Sequence, residues 1–218
     1  MEIWTTWLDV IREMLQFLSS DIGLGAGLAI VVLTLLLRTI LLPVSWSGTY
    51  RGCVHQKKVM KLQPELQRIK EEFKDQPQLL AERTMSTYRK AGVPMLDGRP
   101  ILSALAQMPV FIGMFHVLRT GLEGARFLWI ASLSRPDTLI ALVAGLTTAL
   151  MVVANPELPE HLRTVMILLP SIFAVIFALK FSSALGLYWV VSNCFSAAQT
   201  AAVHRVVRHR IRTGALAI

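Results

Sequence analysis

Charged residues are scarce in this sequence of 218 residues. Lys, Arg, Asp and Glu make up 17% of the chain and apolar residues 54%, whereas a soluble domain has about 25% charged residues. A chain of this size lacks the polar surface needed to cover several apolar helices in water. The composition therefore favours lipid as the surroundings, and a buried soluble helical bundle is the less favoured alternative.

Acidic residues are missing from every long apolar segment, and each such absence excludes a class of function. Without intramembrane Asp or Glu, the usual parts of a proton relay or a cation pathway are not available. The sequence also contains no P-loop, no H-E-x-x-H helix, and no serine or cysteine motif around the intramembrane His116. Only two cysteines occur, Cys53 and Cys194, and we expect neither a disulfide nor a metal site from them. We expect no catalytic residues, no cofactor and no metal.

Five apolar runs approach the roughly 20 residues that a helix needs to cross a bilayer. The third and fourth are the shortest. The sequence therefore predicts an all-α polytopic membrane protein with five transmembrane helices. The predicted spans are 22–46, 100–118, 138–154, 164–180 and 184–204.

The basic residues are distributed unevenly between the two sides of these spans. The positive-inside rule places the amino terminus outside, and the loop 51–94 and the basic tail 205–218 in the cytoplasm. The basic residues of the loop are Arg51, Lys57, Lys58, Lys61, Arg68, Lys70, Lys74, Arg83, Arg89 and Lys90, and those of the tail are Arg205, Arg208, Arg210 and Arg212. The other side carries chiefly Arg119, Arg126, Arg135 and Lys180.

The first segment, 1–20, has apolar residues at helical spacing and lacks the positive region of a signal peptide. It predicts an amphipathic helix on the outer membrane surface with its tryptophans at headgroup depth. An uncleaved signal anchor is the alternative. Gly23 and Gly27 then form a small-xxx-small pair that favours close approach of another helix.

The cytoplasmic loop 51–94 is patterned like a helical hairpin. An apolar seam on its first arm, Val59, Leu62, Leu66, Ile69 and Phe73, alternates steps of three and four residues. After a turn at 75–77, a second helix is predicted to run antiparallel to the first, with Leu80, Met85 and Tyr88 as its apolar residues. One interpretation is purely structural: the hairpin packs on itself and its charged face is solvated. Its basic excess would also attract anionic headgroups or ribosomal RNA.

Polar side chains recur on one face of three spans. Thr34 and Arg38 are four residues apart on span one, and span two carries Gln107. Span five has a polar stripe flanked by Trp189 and Asn193, and the stripe comprises Tyr188, Ser192, Ser196 and Gln199. Facing one another, these sides would enclose a water-accessible cavity in which Arg38 is the one full charge. The alternatives are that Arg38 snorkels to the cytoplasmic boundary and that the other side chains form helix-to-helix hydrogen bonds.

Several ordered motifs resemble those of the YidC/Oxa/Alb insertase family. They extend over nearly all of the chain from Leu33 to His204. In order, they are LLLRTILLP, KLQPELQRIKEEFKD followed by YRKAGV, QMPVFIGMF, FLWIASL and GLYWVVSNCFSAAQ.

The resemblance implies a five-helix core around a hydrophilic groove that is open to the cytoplasm and to lipid. Arg38 would supply the positive charge of this groove, and Thr34, Gln107, Tyr188 and Trp189 would line it, with Ser192 added from the polar stripe. The implied function is insertion of nascent membrane proteins without ATP at the bacterial plasma (inner) membrane. The implied partners are those substrates and the lipid bilayer, with the ribosome, signal-recognition components and the Sec translocon left open, and no DNA.

Two other functions are compatible with the same residues. An anion channel or carrier would use Arg38 for selection, which requires a pore open at both faces and leaves the charged hairpin without a role. A structural assembly factor would use the polar stripes only to bind other membrane spans.

Overall fold

The computed structural model describes residues 2–95, 98–119, 122–156 and 160–216, without the side chains of 99–101, 103–104 and 160–161. The predicted segments 1–20 and 205–218 therefore extend outside the described residues at Met1 and at 217–218. Part of predicted span two, 100–118, lacks described side chains.

Within these ranges the regular secondary structure is helical, apart from one isolated bridge between Phe127 and Ile130. This confirms the predicted all-α class. The number of transmembrane helices and their orientation stay predictions. The helices are α1 (Glu2–Gln16), α2 (Gly25–Ile40), α3 (Leu42–Glu72), α4 (Pro77–Lys90), α5 (Gly98–Leu118), α6 (Thr138–Val153), α7 (Glu160–Lys180) and α8 (Ser183–Arg212), and a π-helical turn, Phe17–Asp21, follows α1.

The chain divides into two compact units. The first comprises Met1–Pro43 and Ala106–Ala202, and the second comprises Val44–Leu105 and Val203–Ile218. The first unit holds most of the helices that the sequence predicts to be spans, and the second holds the basic hairpin and the tail.

Predicted span one, 22–46, is not a single helix. Helix α2 ends at Ile40, and α3 begins at Leu42 and continues to Glu72. Pro43 explains the break, because its ring lacks an N–H and would clash with the carbonyl four residues earlier in a continuous helix. Pro64, by contrast, lies inside α3 without ending it.

Helix α1 is amphipathic, and its apolar stripe packs within the first unit. Leu8, Ile11 and Leu15 are buried, and the Trp7 indole Nε1 donates to the Pro109 carbonyl oxygen at 3.1 Å. Gly113 makes the approach possible, because a Cβ there would lie 2.6 Å from Ile11 Cδ1. The predicted lipid contact of this stripe is therefore replaced by contact with the protein, and the position of α1 at the outer surface stays a prediction.

Within the described part of the first unit, the small-residue pair at Gly23 and Gly27 has no helix packed against it. Gly23 lies before α2 with φ +77° and has open space beside it, and a Cβ at Gly27 would overlap the Phe127 ring. Phe127 belongs to the loop between α5 and α6. The predicted helix partner is therefore wrong, and the close neighbour at Gly27 is an aromatic loop residue.

The second unit contains an antiparallel hairpin of α3 and α4. Thr87 donates to Glu65 at 3.3 Å, and the Arg83 guanidinium lies over the Phe73 ring, 5.8 Å from its centroid. The predicted seam residues of the first arm, four on α3 and Phe73 just after it, are half-buried, while most residues between them are exposed. On α4 the prediction is wrong for Met85, which is exposed, because Thr87 takes the buried position.

A second cluster of buried residues lies in the same unit and involves α3 and the end of α8. Cys53, Val203 and Val207 form its interior, and Cys53 Sγ lies 3.3 Å from His204 Nδ1. Arg210 donates to the Tyr50 hydroxyl at 3.1 Å. The sequence did not indicate this pairing of a thiol with an imidazole.

One described helical segment, Leu162–Lys180, is by itself long and apolar enough to cross a membrane. Helices α2 and α3, taken together as one broken span, pass the same test, and the apolar segments Leu105–Leu118 and Thr138–Val153 are shorter. Helix α8 interrupts its apolar residues with the polar stripe, which lowers its mean hydropathy.

The first unit places large apolar side chains outside and hydroxyl and amide groups inside. Many side chains of α5, α6 and α7 are well exposed, including Met108, Leu142, Leu146, Leu169 and Phe173. Buried polar residues include Thr148, Ser182, Ser183, Ser192 and Asn193. An exposed apolar surface of this extent is typical of a protein that contacts lipid.

Candidate functional site

Arg38 occupies the last turn of α2 and is half-buried. Its Nη1 donates to the Gln107 Oε1 of α5 at 2.6 Å, and the Tyr188 phenol of α8 lies close enough to interact with it electrostatically. In the described part of the chain, neither an Asp nor a Glu forms an ion pair with Arg38. The guanidinium is therefore held by neutral groups.

The Arg38–Gln107 bond fixes the guanidinium without neutralising it. A hydrogen bond from an ionised donor is shorter and stronger than one between neutral groups. Arginine has five N–H donors in a rigid fork, and the amide oxygen of Gln107 engages one nitrogen. The group thus retains both its charge and donor capacity for a further acceptor.

Tyr188 and Ser192 complete the polar side of α8 beside this charge. Both are 4% exposed, and the Tyr188 ring lies 6.4 Å from the Phe111 ring of α5. Among the described residues, Ser192 Oγ is the buried side-chain polar atom that has no hydrogen-bond partner meeting normal geometry. The Tyr188 phenol, one turn earlier on α8, nevertheless interacts with this hydroxyl, so the pair contributes neutral polar groups beside the Arg38 charge.

Thr34 lies one turn from Arg38 but is 1% exposed. Its hydroxyl donates to the Ile30 carbonyl of the same helix at 2.6 Å. The structure thus places this residue on the expected helix face. Its hydroxyl hydrogen is already used in a hydrogen bond to the backbone.

Trp189 belongs to a different polar cluster. Its Nε1 donates to Thr148 Oγ1 at 3.2 Å, and the Asn193 Nδ2 donates to the same oxygen at 2.7 Å. The Thr148 hydroxyl in turn donates to the Ala144 carbonyl at 2.7 Å. One hydroxyl of α6 therefore joins two side chains of α8, and its hydrogen-bonding capacity is used completely.

The structure thus divides the six predicted site residues into three sets. Arg38, Gln107 and Tyr188 lie together, with the buried Ser192 beside Tyr188 on the same helix. Trp189 pairs with Thr148, and Thr34 bonds to its own helix. Thr148 is not among the predicted site residues, although a Thr pair inside an otherwise apolar span is a signal for a polar contact between helices.

The chemistry available at the Arg38 cluster is recognition of a negative or hydrogen-bond-accepting group. No group of three or more His, Cys, Asp or Glu side chains that could hold a metal occurs among the residues described. A guanidinium with a phenol, an amide and a buried hydroxyl can hold a carboxylate or a polar peptide segment.

An apolar exterior and an interior cation held by neutral side chains define a helical membrane protein with a polar interior site. The sequence matches the model of the family described as 60Kd inner membrane protein over residues 17–210. The chain therefore belongs to this family of inner membrane proteins, and the resemblance inferred from its motifs is confirmed.

Individual relatives agree with this assignment. The chain is 33% identical over 201 residues to membrane protein insertase MisCA of Bacillus subtilis, covering 87% of this chain and 74% of that protein. It is 34% identical over 203 residues to membrane protein insertase YidC of Hahella chejuensis, covering 88% of this chain. It is 33% identical over 206 residues to YidC of Pseudomonas aeruginosa PAO1, covering 92% of this chain. The chain spans 34% of the length of each of these two YidC proteins.

Proposed function

We propose that this protein is a membrane protein insertase in which Arg38 transiently binds the polar outer segment of a substrate. The observation that supports this most is the half-buried Arg38, which has a neutral hydrogen-bond partner in Gln107 and no carboxylate partner in the described residues. A buried cation with a permanent acidic partner would already be neutralised. Arg38 instead retains its charge for a group that arrives and leaves.

In this mechanism the protein lowers the free-energy barrier for moving a polar substrate segment across the bilayer, and it needs no ATP. A short polar segment, often acidic, enters the site around Arg38, Gln107 and Tyr188, where water and fixed donors replace part of its hydration. The adjoining apolar segment moves along the exposed apolar side chains of α5 and α7 into lipid. Burial of that segment, at about 25 cal/mol per Å² of apolar area, drives release.

The proposed topology has five transmembrane helices, an outer amino terminus and a cytoplasmic carboxyl terminus. The exposed apolar surface of the first unit supports membrane residence, and the unequal distribution of basic residues supports the orientation. The location we propose is the bacterial plasma membrane.

The second unit would contact partners on the cytoplasmic side. Its hairpin presents exposed basic residues around a half-buried apolar seam, and the end of α8 adds further exposed arginines. Such a surface suits the negatively charged partners of a nascent chain, including the ribosome and signal-recognition components. Contact with a Sec translocon belongs to the same proposal.

Complementation tests this function. Cells depleted of their own insertase receive the unmutated chain, Arg38→Ala, Arg38→Lys or the control Arg12→Ala, since Arg12 is exposed and pairs with Asp9 at 2.8 Å. Insertion is scored for a single-span substrate with an acidic outer segment and for a version with that segment neutralised. We expect Arg38→Ala to impair the acidic substrate selectively, Arg38→Lys to retain part of the activity, and Arg12→Ala to behave like the unmutated chain.

Two results would contradict the proposal. Failure of the expressed, unmutated chain to rescue either substrate would exclude the insertase function in that cell. Anion conductance that depends on Arg38 in vesicles, without rescue, would favour a channel or carrier instead.

A further inference from the structure

The loop between α5 and α6 presents two bulky apolar side chains at its tip. Leu128 is 76% exposed and Trp129 is 50% exposed, although both lie in the first unit, which buries other residues of the same loop. Exposed single hydrophobic residues are common, but an adjacent exposed Leu and Trp on one turn form a small apolar projection.

The tip is held by backbone hydrogen bonds. Phe127 N donates to Ile130 O at 3.1 Å, and Ile130 N donates to Phe127 O at 2.8 Å. A third bond, from Leu133 N to Ala125 O at 2.9 Å, closes the loop below them. Leu128 and Trp129 thus occupy the two central positions of a tight turn.

The base of this turn is anchored in the core of the first unit. Ile130 and Leu133 are buried, and Phe127 packs on α2 at Gly27, where a side chain would overlap its ring. Because Ile130 is buried and the half-buried Phe127 is held against α2, the turn has little freedom to fold its tip inward. The exposure of Leu128 and Trp129 is therefore built into the loop.

The turn also places Leu128 in a disfavoured backbone conformation. Its φ is +50°, the one positive φ of a non-glycine residue in the described ranges. Glycine or asparagine would adopt this conformation at lower cost. A leucine here combines backbone strain with exposure of a large apolar side chain, which is unfavourable in water on both counts.

We propose that Leu128 and Trp129 form a wedge that inserts into the outer-leaflet interface of the membrane and sets the depth of the first unit there. This rests on the proposed topology, which places 119–137 outside. Tryptophan prefers the boundary between headgroups and acyl chains, and the exposed Arg126 beside it can bind lipid phosphate.

Lipid is favoured over a protein partner by the continuity of the apolar surface. Helix α6 begins at Thr138, soon after the loop, and exposes Leu139 and Leu142 in its first turns. The wedge therefore belongs to the same unit as a helix with a lipid-facing surface. Burial of Leu128 and Trp129 in lipid would offset the strain at Leu128.

Depth-dependent quenching tests the wedge. The full chain is reconstituted in phosphatidylcholine and phosphatidylglycerol vesicles with bromine either near the headgroup or near the chain end. The emission of Trp129 is obtained by subtracting Trp129→Phe from the unmutated chain, and Trp7→Phe gives a matched measurement for an indole that bonds to Pro109. We expect bromine near the headgroup to lower the Trp129 emission about twofold and to affect Trp7 less.

Variants of Leu128 separate lipid contact from folding. Leu128→Gly removes the side chain and the strain, so the fold should persist while Trp129 emission shifts to longer wavelength. Leu128→Met should preserve the unmutated spectrum. Strong quenching of Trp129 by aqueous iodide, without quenching by brominated lipid, would overturn the proposal, as would protection from both, which indicates coverage by protein.

The side of the membrane is tested separately. An impermeant maleimide applied to intact cells should label Ala131→Cys, an exposed position beside the tip, and absence of labelling there would overturn the outer-leaflet placement. Quenching needs no substrate, so Arg38→Ala should leave it unchanged. Loss of insertion with intact quenching would therefore count against the proposed function alone.

Discussion

The Nη1 atom of Arg38 on α2 lies 2.6 Å from the Oε1 atom of Gln107 on α5. This contact joins residues that are 69 positions apart in the sequence and that the hairpin of α3 and α4 separates. A neutral amide orients the guanidinium and leaves its charge in place, whereas a carboxylate would orient and neutralise it. Under the proposed function, the identity of residue 107 would therefore decide whether Arg38 can attract an acidic segment.

Gln107→Glu should impair insertion more severely than Gln107→Ala. The new carboxylate would form a permanent ion pair with Arg38, and a unit charge at this distance is worth a few kcal/mol at intermediate dielectric, so we expect a loss on the order of tenfold for acidic outer segments. Gln107→Ala removes orientation and leaves the charge. The measurement is insertion of substrates with acidic and with neutral outer segments, and equal defects for the two variants would contradict the charge-based role.

Thr148→Val should destabilise the first unit, because it leaves the Trp189 indole and the Asn193 amide without their shared acceptor. Hydrogen bonds between helices in membranes are worth about 1–2 kcal/mol at most. Thr147→Val is the matched control, since the Thr147 hydroxyl donates only to carbonyls of its own helix, at Val143 and Ala144. Thermal unfolding in detergent should show a lower Tm for Thr148→Val than for the control, and equal Tm values would exclude a special role for Thr148.

Gly113→Ala should displace α1 from α5. The added methyl group would lie 2.6 Å from Ile11 Cδ1 and 2.7 Å from Trp7 Nε1, and overpacking of this kind typically costs about 1–3 kcal/mol. Gly98→Ala is the control, because a Cβ there meets nothing within 4 Å. A lower Tm and a longer-wavelength emission of Trp7 should accompany Gly113→Ala only. Unchanged Trp7 emission would mean that α1 adapts without moving.

The two cysteines should differ sharply in reactivity. Cys53 is buried beside His204 in the second unit, whereas Cys194 is exposed on α8. A maleimide that partitions into detergent should modify Cys194 rapidly in the folded protein and should modify Cys53 only on unfolding, since access controls thiol modification. Mass spectrometry of Cys194→Ala and Cys53→Ala separates the two reactions. Rapid modification of Cys53 in the native state would contradict its burial.

Local sequence patterns were sufficient for much of the helical architecture. The periodic seam on the first arm of the hairpin gave the half-buried face of α3, and the apolar stripe of the first segment gave the buried face of α1. These features depend on the spacing of residues along one helix, which the sequence contains directly. The break at Leu41 was predictable in principle from Pro43 and was hidden by the apolar residues on both sides of it.

The sequence by itself determined the apolar composition, the helical periodicities, the absence of intramembrane acid and the motifs that assign the family. Only the tertiary structure decided which polar groups meet: Gln107 with Arg38, Thr148 with Trp189 and Asn193, and Cys53 with His204. It also decided that the loop residue Phe127 packs against Gly27. Such pairings depend on the rotation and depth of each helix against its neighbours, which arise from packing of the whole side-chain set and are not encoded in the period of any single helix.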